Sequence, residues 1–285
     1  MSREGASRRK DKIFKGMGLT ATFSCLLILV IFLGFILYQG LQRLSWDFLM
    51  ALPSRFADQS GIYTAWIGTL WVLVLTTLVS FPVGVGAGIY LEEYGKKNKW
   101  STLLEINITN LAGVPSIIYG LLGLEVFVRL LKMGSSILAG SLTLSLLILP
   151  IIIVSTREAI RAVPKTIKDA SRGLGASKWQ TIWHQILPAS FGGILTGVIL
   201  AISRAVGETA PLIVIGALAY VPFAPSGPLD EFTVLPIQIF NWVSRPQHEF
   251  VINAAAAIIV LLGITFLMNG IAVYMRNRWQ NKMNW

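Results

Sequence analysis

Six long apolar runs, separated by shorter polar segments, make up most of this chain. A membrane-crossing helix needs about 20 residues, because it must span roughly 30 Å of hydrocarbon at 1.5 Å per residue. The runs reach that length, and the pattern therefore predicts an all-α integral membrane protein with six transmembrane helices. The predicted spans are residues 17–39, 64–91, 106–131, 137–156, 189–219 and 251–275.

The composition supports the membrane class. Of the 285 residues, 54% are hydrophobic and 13% are charged, whereas a soluble domain carries roughly a quarter charged residues. The basic start followed by the apolar run 17–39 resembles a secretory signal peptide, but the run is too long and no small-x-small cleavage site follows it. We therefore expect a retained first span. The single cysteine, Cys25, excludes an internal disulfide framework and a cysteine-based metal site.

The placement of lysine and arginine predicts the orientation of the spans. The segments 1–16, 92–105, 157–188 and 276–285 hold 6, 3, 6 and 3 of these residues, or 18 of the 24. The positive-inside rule then places both termini in the cytoplasm, as tails of 1–16 and 276–285 around a membrane domain of 17–275. The net charge of +10 does not favour nucleic-acid binding, because the basic residues flank apolar runs instead of forming one stripe.

The inner segment 157–188, which we call the polar segment, carries two helix-start signals. Thr166 is predicted to cap a short helix that has Asp169 in its first turn, where negative charge suits the helix dipole. Gly173 and Gly175 give that helix a place to stop. The sequence thus predicts a short helix that ends in a glycine turn.

A capping-box pattern at Ser177 and Gln180 predicts a second short helix. Pro188 is expected to mark its end and the turn into the fifth span. Apolar residues recur along it at helical spacing and are predicted to share one face. These residues are Trp179, Ile182, Trp183 and Ile186.

Two uses fit a basic, amphipathic segment of this kind. It could lie on anionic lipid, which its Lys, Arg and Trp content would suit. It could instead be a rigid docking element for a soluble partner, held by the ends of two spans. The residues alone leave both alternatives open.

Small residues within the spans predict close helix packing. The pairs Gly84/Gly88 and Gly193/Gly197 have a four-residue spacing that lets two helix backbones approach each other. The glycine-rich run 83–88 is not a phosphate-binding loop, because it lies inside a span, follows no strand and lacks a following Gly-Lys-Ser/Thr. No other part of the sequence matches a P-loop. We therefore expect this chain to bind no cofactor, and any ATP and Mg²⁺ to be held by a separate ATPase subunit.

The fifth predicted span carries two ionisable residues, Arg204 and Glu208, within an apolar run. Each costs at least roughly 2.5 kcal/mol near the centre of a membrane helix. As an i,i+4 pair they are predicted to share a helix face, which reduces that cost. The pair could order the helix bundle by neutralising itself. It could instead face a water-lined path, an interpretation that Pro211 supports because proline loosens a helix.

Other charges lie near the ends of the predicted spans. Glu92 and Glu93, with the lysines at 96–97, are expected to be solvated boundary charges at the inner end of the second span. Glu125 and Arg129 form an i,i+4 pair near the outer end of the third. That pair is interpreted as interfacial structure or as lining of an entrance.

The polar segment resembles the EAA loop of ABC-importer permeases. That pattern has an acidic-alanine triplet, three residues, a glycine, nine residues, and a hydrophobic pair followed by Leu-Pro. Residues 169–171 fill the triplet with conservative departures, and Gln185 stands where the family has an aliphatic residue. In that family the loop is the coupling helix that fits a groove in the ATPase subunit. The resemblance assigns ATPase coupling to Asp169, Ala170, Ser171, Gly175, Ala176, Ser177, Trp179, Leu187 and Pro188.

The fifth span contains RAVGETAPL, which resembles the RAxGETAPL signature of phosphate importer permeases of the PstA type. With GVPSIIYG at 113–120, the likeness covers nearly the whole chain beyond residue 60. It implies a type I ABC importer permease (MetI-like) fold, with inorganic phosphate as substrate. It also implies that Arg204, Glu208 and Thr209 line the substrate path.

The chemistry of these side chains suits a hydrogen phosphate ion. The planar guanidinium of Arg204 matches the oxygens of an oxyanion. Phosphate near neutral pH still carries a proton, which the Glu208 carboxylate can accept in a hydrogen bond, whereas sulfate has no proton to offer. We therefore hypothesise that Arg204 attracts the oxyanion, while Glu208 positions Arg204 and disfavours sulfate.

The resemblance also implies partners and a location. The chain would be a non-catalytic, multi-pass subunit of the cell membrane, paired with a second homologous permease of the PstC type. Two ATPase subunits of the PstB type would bind below, and an external phosphate-binding protein of the PstS type would deliver substrate. Contact with membrane lipid is expected, and contact with nucleic acid is not. Two alternatives stay open: a permease for another oxyanion such as sulfate or molybdate, or a secondary transporter that uses the Arg204–Glu208 pair.

Overall fold

The computed structural model describes residues 3–95, 98–217 and 220–281 of the chain. Across these residues the regular structure is helical, apart from one isolated β-bridge between Ser136 and Glu231. Five helices are long and apolar enough to cross a membrane, which confirms the predicted all-α membrane class. They belong to α1 (Arg3–Gly40), α3 (Tyr63–Ile89), α6 (Ile137–Arg161), α9 (Leu187–Gly207) and α12 (His248–Asn281).

The predicted third span is not one straight helix. Two helices that meet at an angle of 101° replace it. They are α4 (Lys99–Leu111) and α5 (Ser116–Gly123), and a π-helical turn, π2 (Leu124–Leu130), continues the second. The break precedes Pro115, whose ring disfavours helical backbone at the residue before it. If this bent pair is taken as one span, the total is the six that the sequence predicts.

Shorter elements connect the long helices. Two occur in aromatic, proline-containing segments between spans, where a buried aromatic cluster of Phe48, Trp242 and Phe250 holds them together. Another π-helical turn continues α3, and the remaining short elements flank α9. The shorter elements are α2 (Trp46–Met50), π1 (Tyr90–Tyr94), α7 (Lys165–Gly173), α8 (Lys178–Thr181), π3 (Ile182–Ile186), α10 (Ala210–Val214) and α11 (Leu235–Val243).

Helix α6 is the most buried of the long helices and packs between α3 and α9. The predicted glycine pairs make these contacts close. A methyl group at Gly84 would lie 2.6 Å from Cγ2 of Ile152, and one at Gly193 would lie 2.8 Å from Cβ of Ala159. Gly88 and Gly197 face α6 in the same way. Because no side chain would fit at these close helix contacts, all four positions need glycine where α3 and α9 pack on α6.

Hydroxyl groups add hydrogen bonds between α3 and α6. Thr76 Oγ1 donates to the carbonyl oxygen of Ser141 at 3.2 Å, and Ser145 Oγ lies 3.3 Å from the carbonyl oxygen of Thr76. Both hydroxyl groups also lie within a largely apolar interface, where an unpaired polar group would be costly. The two helices therefore form a closely packed and hydrogen-bonded unit.

Helix α1 lies at the periphery and contacts α12. Most of its large hydrophobic side chains are exposed, including Phe23, Ile28 and Phe32. Exposed apolar surface of this kind is stable only in an apolar surrounding, which for a helix of this length is the hydrocarbon of a bilayer. Helix α1 therefore presents its surface to lipid and contributes little to the core.

Replacing Gly88 with alanine is expected to destabilise the packing of α3 on α6. The new methyl group would lie 2.7 Å from Cβ and Cγ2 of Thr156 and 3.1 Å from the carbonyl oxygen of Ile153. Overpacking of this kind costs about 1–3 kcal/mol. Gly86→Ala is the matched control, because a methyl group there meets nothing within 4 Å. Thermal unfolding in detergent should show a lower midpoint for Gly88→Ala alone, and equal midpoints for both variants would contradict this packing.

Candidate functional site

The first arm of the polar segment is α7. It begins at Lys165, directly after Pro164 at the N-cap, so the predicted capping role of Thr166 is wrong. With proline at the N-cap, φ −54°, the helix begins two residues earlier than a cap at Thr166 would place it. The helix ends at Gly173 as expected.

A left-handed glycine closes this arm. Gly175 has φ +88°, a conformation that glycine adopts at no steric cost. The amide of Ala176 donates to the carbonyl oxygen of Ser171 at 3.2 Å, and the amide of Gly175 donates to that of Arg172 at 2.9 Å. These two bonds satisfy carbonyl groups at the helix end in the manner of a Schellman motif.

The second arm begins with the predicted capping box. Ser177 Oγ accepts from the amide of Gln180, and the Gln180 side chain accepts from the amide of Ser177 at 2.8 Å. Thr181 Oγ1 lies 3.0 Å from Ser171 Oγ and joins the two arms. The arms are thus held together by a hydrogen bond across the glycine turn.

Pro188 does not end this second helix, contrary to the prediction. Residues 178–207 form one helical run, α8, π3 and α9, with Pro188 in the first turn of α9. Within a helical run proline removes one backbone hydrogen bond, and here it lies directly after the π-helical turn π3, where the hydrogen-bond pattern changes. Leu187 and Pro188 therefore connect the polar segment directly and rigidly to a transmembrane helix.

The apolar residues of the second arm lie on two faces, and the prediction of a single face is wrong. Ile182 and Ile186 are buried against Ile160 of α6. Trp179 and Trp183 are 59% and 57% exposed, and their rings stack at 5.7 Å. The two i,i+4 pairs are offset by three residues along the chain, and neighbouring residues such as Ile182 and Trp183 point in different directions, so one pair faces α6 while the other faces outward.

The remaining EAA-type positions are mostly at the surface. Asp169 and Ala170 are exposed on α7, and Leu187 packs beside the buried isoleucines. Leu174, at the tip between the arms, is 91% exposed. Together with the stacked tryptophans it gives the polar segment an apolar outer surface, which is unusual for residues outside the spans.

The turn π1 contacts the polar segment at points that the sequence interpretation missed. Glu93 Oε1 lies 2.6 Å from Lys168 Nζ of α7, and the Glu93 side chain is only 6% exposed. Lys178 Nζ of α8 lies 4.6 Å from the centroid of the Tyr94 ring. Charge complementarity between the acidic end of the second predicted span and the basic polar segment was the available signal.

The neighbouring acid, Glu92, pairs with α6. Its Oε2 lies 2.9 Å from Arg161 Nε and 3.4 Å from Arg157 Nε, and Arg157 also pairs with Glu105 of α4 at 2.9 Å. The prediction of solvated boundary charges at Glu92 and Glu93 is therefore wrong, because both acids are ion-paired. Residues 96–97 lie outside the described residues.

The second predicted site lies where α9 ends. Arg204 Nε is 3.1 Å from Glu208 Oε1, with 39% of the arginine side chain and 17% of the glutamate side chain exposed. The predicted span 189–219 is not one helix, because α9 ends at Gly207 and Glu208 has extended backbone angles. Glu208 thus pairs with Arg204 from beyond the helix end, and Pro211 lies in the first turn of α10 instead of loosening a continuous helix.

Helix α5 packs against this break. A methyl group at Gly120 would lie 2.7 Å from Cα of Pro211, so the two backbones are in close contact. The adjacent Tyr119 is buried and donates a 2.8 Å hydrogen bond to the carbonyl oxygen of Leu111, at the break between α4 and α5. Two interrupted helices therefore meet beside the Arg204–Glu208 pair. Thr209 lies within the unwound link, half-buried.

The structure does not bring the two predicted sites together. Leu187 and Arg204 are separated by most of α9, which at 1.5 Å per residue corresponds to about 25 Å. The polar segment is nevertheless joined to the ion pair by one uninterrupted helix. A displacement of one end of that helix would therefore also move the other end.

The sequence matches the family model described as "Binding-protein-dependent transport system inner membrane component" over residues 84–281. It is 33% identical over 271 residues to "Probable ABC transporter permease protein YqgI" of Bacillus subtilis (strain 168), covering 90% of this chain and 92% of that protein. It is 33% identical over 229 residues to "Phosphate transport system permease protein PstA 1" of Mycobacterium tuberculosis (strain CDC 1551 / Oshkosh), covering 79% and 73% of the two chains.

A solved structure shares the architecture. It is titled "Crystal structure of bacterial alginate ABC transporter in complex with alginate pentasaccharide-bound periplasmic protein", and the likeness has a TM-score of 0.70. The match covers 97% of this chain and 98% of that chain, at 15% identity. This similarity shows the fold, which is the MetI-like fold expected from the sequence.

Replacing Gly175 with alanine is expected to destabilise the turn between the arms. A left-handed backbone costs about 1–2 kcal/mol for a residue with a Cβ atom, although the space around Gly175 is open. Gly173→Ala is the matched control, because that position is equally open and has no positive φ. Hydrogen exchange of the α7 amides should accelerate in Gly175→Ala only. Unchanged exchange in both variants would contradict the left-handed turn.

Proposed function

The chain belongs to the family of binding-protein-dependent transport system inner membrane components, and on that premise we propose that it is the permease subunit of an ATP-driven importer of inorganic phosphate. Membership makes it a multi-pass membrane protein that acts within an ABC transporter. The observation that carries the proposal is the partly exposed Arg204–Glu208 pair at the broken end of α9.

A helix that is interrupted within the membrane leaves backbone N–H and C=O groups without their helical hydrogen bonds. Unpaired backbone groups are tolerated there only where protein surrounds them or where they line a water-filled cavity, and interrupted helices commonly form the substrate sites of transporters. The unwound link at Glu208 and Thr209, beside the interrupted pair α4 and α5, fits such a site. We propose that these residues line part of the translocation path.

The ion pair suits a protonated oxyanion. Arg204 has donors beyond the one bonded to Glu208, and its side chain is 39% exposed. A passing hydrogen phosphate ion can accept bonds from that guanidinium and donate its proton to the Glu208 carboxylate. The relatives named as phosphate transport permeases support phosphate over sulfate or molybdate. Binding should be weak, because a transport path must release its cargo.

The polar segment is proposed to dock ATPase subunits. Exposed tryptophans are enriched among the residues that carry most of the energy of protein interfaces, and Trp179, Trp183 and Leu174 form a solvent-facing apolar surface. In this proposal the ATPases hold ATP and Mg²⁺, and this chain catalyses no reaction. Lipid contact alone would not require the capped, rigid connection of this segment to α9.

The other partners follow from the same proposal. A second permease of the PstC type would complete the path next to the exposed side of Arg204, and an external phosphate-binding protein of the PstS type would deliver substrate. The ATPase subunits would be of the PstB type. A secondary transporter is not favoured, because the family consists of components of binding-protein-dependent systems.

Replacing Arg204 with glutamine is expected to lower phosphate uptake by roughly tenfold or more, since a hydrogen bond to a charged group contributes about 1.5–3 kcal/mol. Glu208→Gln should lower phosphate uptake and reduce the preference for phosphate over sulfate. Uptake by proteoliposomes that contain the assembled transporter measures both effects. Ser203→Ala is the neighbouring control, because Ser203 bonds Asn269 on α12 instead of the pair. Normal, selective uptake by both charge variants would refute the proposed path.

Replacing Trp179 and Trp183 together with alanine should weaken capture of the ATPase subunits. The pair provides exposed aromatic area on the second arm of the polar segment, and loss of a residue that dominates an interface costs about 2 kcal/mol or more in binding, or about thirtyfold in affinity. Co-purification of the ATPase with the tagged permease measures this. Trp46→Ala, an exposed tryptophan in α2 at the other end of the molecule, is the control. Undiminished capture would assign the tryptophans to lipid contact.

A further inference from the structure

We propose that three consecutive residues of π1, Glu92, Glu93 and Tyr94, form a clamp that transmits movement of the polar segment to α3. We call these residues the π1 clamp. The inference rests on the proposed docking of ATPase subunits at the polar segment, and it assigns positioning roles to residues that contact neither nucleotide nor substrate.

The three residues of the π1 clamp reach three different elements. Glu92 pairs with α6, Glu93 pairs with Lys168 of α7, and the Tyr94 ring lies under Lys178 of α8. Consecutive residues of a helical turn point in different directions, so a single turn can face three neighbours. The clamp therefore holds both arms of the polar segment and the inner end of the central helix at once.

The bond between Glu93 and Lys168 is the most buried part of the clamp. The side chains are 6% and 17% exposed, and Nζ lies 2.6 Å from Oε1. Removing two charges from water is unfavourable unless each stays close to the other. If α7 moved away alone, both charges would be separated within a poorly hydrated site. Movement of α7 together with π1 avoids that separation.

Few other polar contacts attach α7 to the spans. Its hydroxyl contact, Ser171 with Thr181, joins the two arms of the polar segment to each other. Among the described residues, Lys168–Glu93 is the salt bridge that links α7 to a spanning helix. A force that a docked ATPase subunit applies to the outer surface of α7 is therefore transmitted to π1.

Helix α3 can transmit such a force along its length into the membrane. The turn π1 continues α3 without a break, since the N-cap residue Ile89 is itself helical. Gly84 and Gly88 hold α3 directly against α6. Single π-helical turns inside α-helices frequently occur at functional sites. The polar segment thus has two rigid routes into the bundle, α9 through Leu187 and α3 through the π1 clamp.

The variants that test the clamp remove one charge while keeping side-chain size. Glu93→Gln and Lys168→Met are each expected to lower the phosphate imported per ATP hydrolysed by about tenfold in the reconstituted transporter, with the ATPase still co-purifying. The exchange Glu93→Lys with Lys168→Glu should restore most of the ratio, because it rebuilds the pair. Glu249→Gln is the control, since Glu249 is an exposed acid in the first turn of α12 and has no assigned role in the path or the clamp.

A second measurement does not depend on the cargo. Spin labels replace Arg172 at the end of α7 and Leu78 on the exposed side of α3, in a Cys25→Ser background. In the otherwise unaltered protein the distribution of distances between the two labels should stay narrow when ATP binds. In Glu93→Gln it should shift or broaden, because α7 then moves without α3.

The outcomes separate the clamp from the proposed function. Normal phosphate-to-ATP ratios and unchanged label distances in Glu93→Gln and Lys168→Met would overturn the clamp, even if phosphate import is intact. If the variant that exchanges the two charges keeps a low ratio of phosphate imported to ATP hydrolysed, and the label distances are unchanged, the clamp would also be overturned. If the unaltered transporter hydrolyses ATP without importing phosphate, the cargo proposal fails alone, and the label distances decide whether the clamp exists.

Discussion

Close backbone contact between α6 and its two neighbours is the constraint on which the rest of this structure depends. The hydrophobic effect contributes little to packing between helices inside a bilayer, because the surrounding lipid is itself apolar. Van der Waals contact must therefore hold the helices together. Gly84 and Gly88 on α3, and Gly193 and Gly197 on α9, allow that contact on two neighbouring faces of one helix. The arrangement holds α3 and α9 beside α6, and both helices carry at their ends residues that are proposed to act.

The half of the bundle away from the polar segment departs from regular helices beside charged residues. Helix α9 stops at Gly207, and Arg204 in its last turn lies where the negative end of the helix dipole favours a cation. Glu208 follows in extended backbone and completes the pair. Helix α5, which itself follows a sharp bend, supports the break through the contact of Gly120 with Pro211. Polar groups and irregular backbone are thus gathered in one place, as a path for an anion would require.

The opposite end of the bundle is organised by ion pairs outside the apolar runs. Glu92, Glu93 and Glu105 neutralise basic residues that the charge pattern assigned to the same side of the membrane. Their partners belong to α6 and to the first arm of the polar segment. This network, the capped arms and the buried isoleucines give the polar segment a fixed position relative to the spans. A fixed position is what a docking element needs if movement of a partner is to reach the membrane.

The sequence by itself determined the membrane class, the six apolar segments, the capping box at Ser177, the helix stop at Gly173 and Gly175, and the close helix packing at the two glycine pairs. These features depend on local chemistry or on periodicity, both of which are present in the order of the residues. Only the tertiary structure decided that Trp179 faces outward while Ile182 is buried, that α9 ends before Glu208, and that Glu93 reaches Lys168. Those outcomes depend on which surfaces of distant segments meet, and neither apolar run length nor helical spacing contains that information.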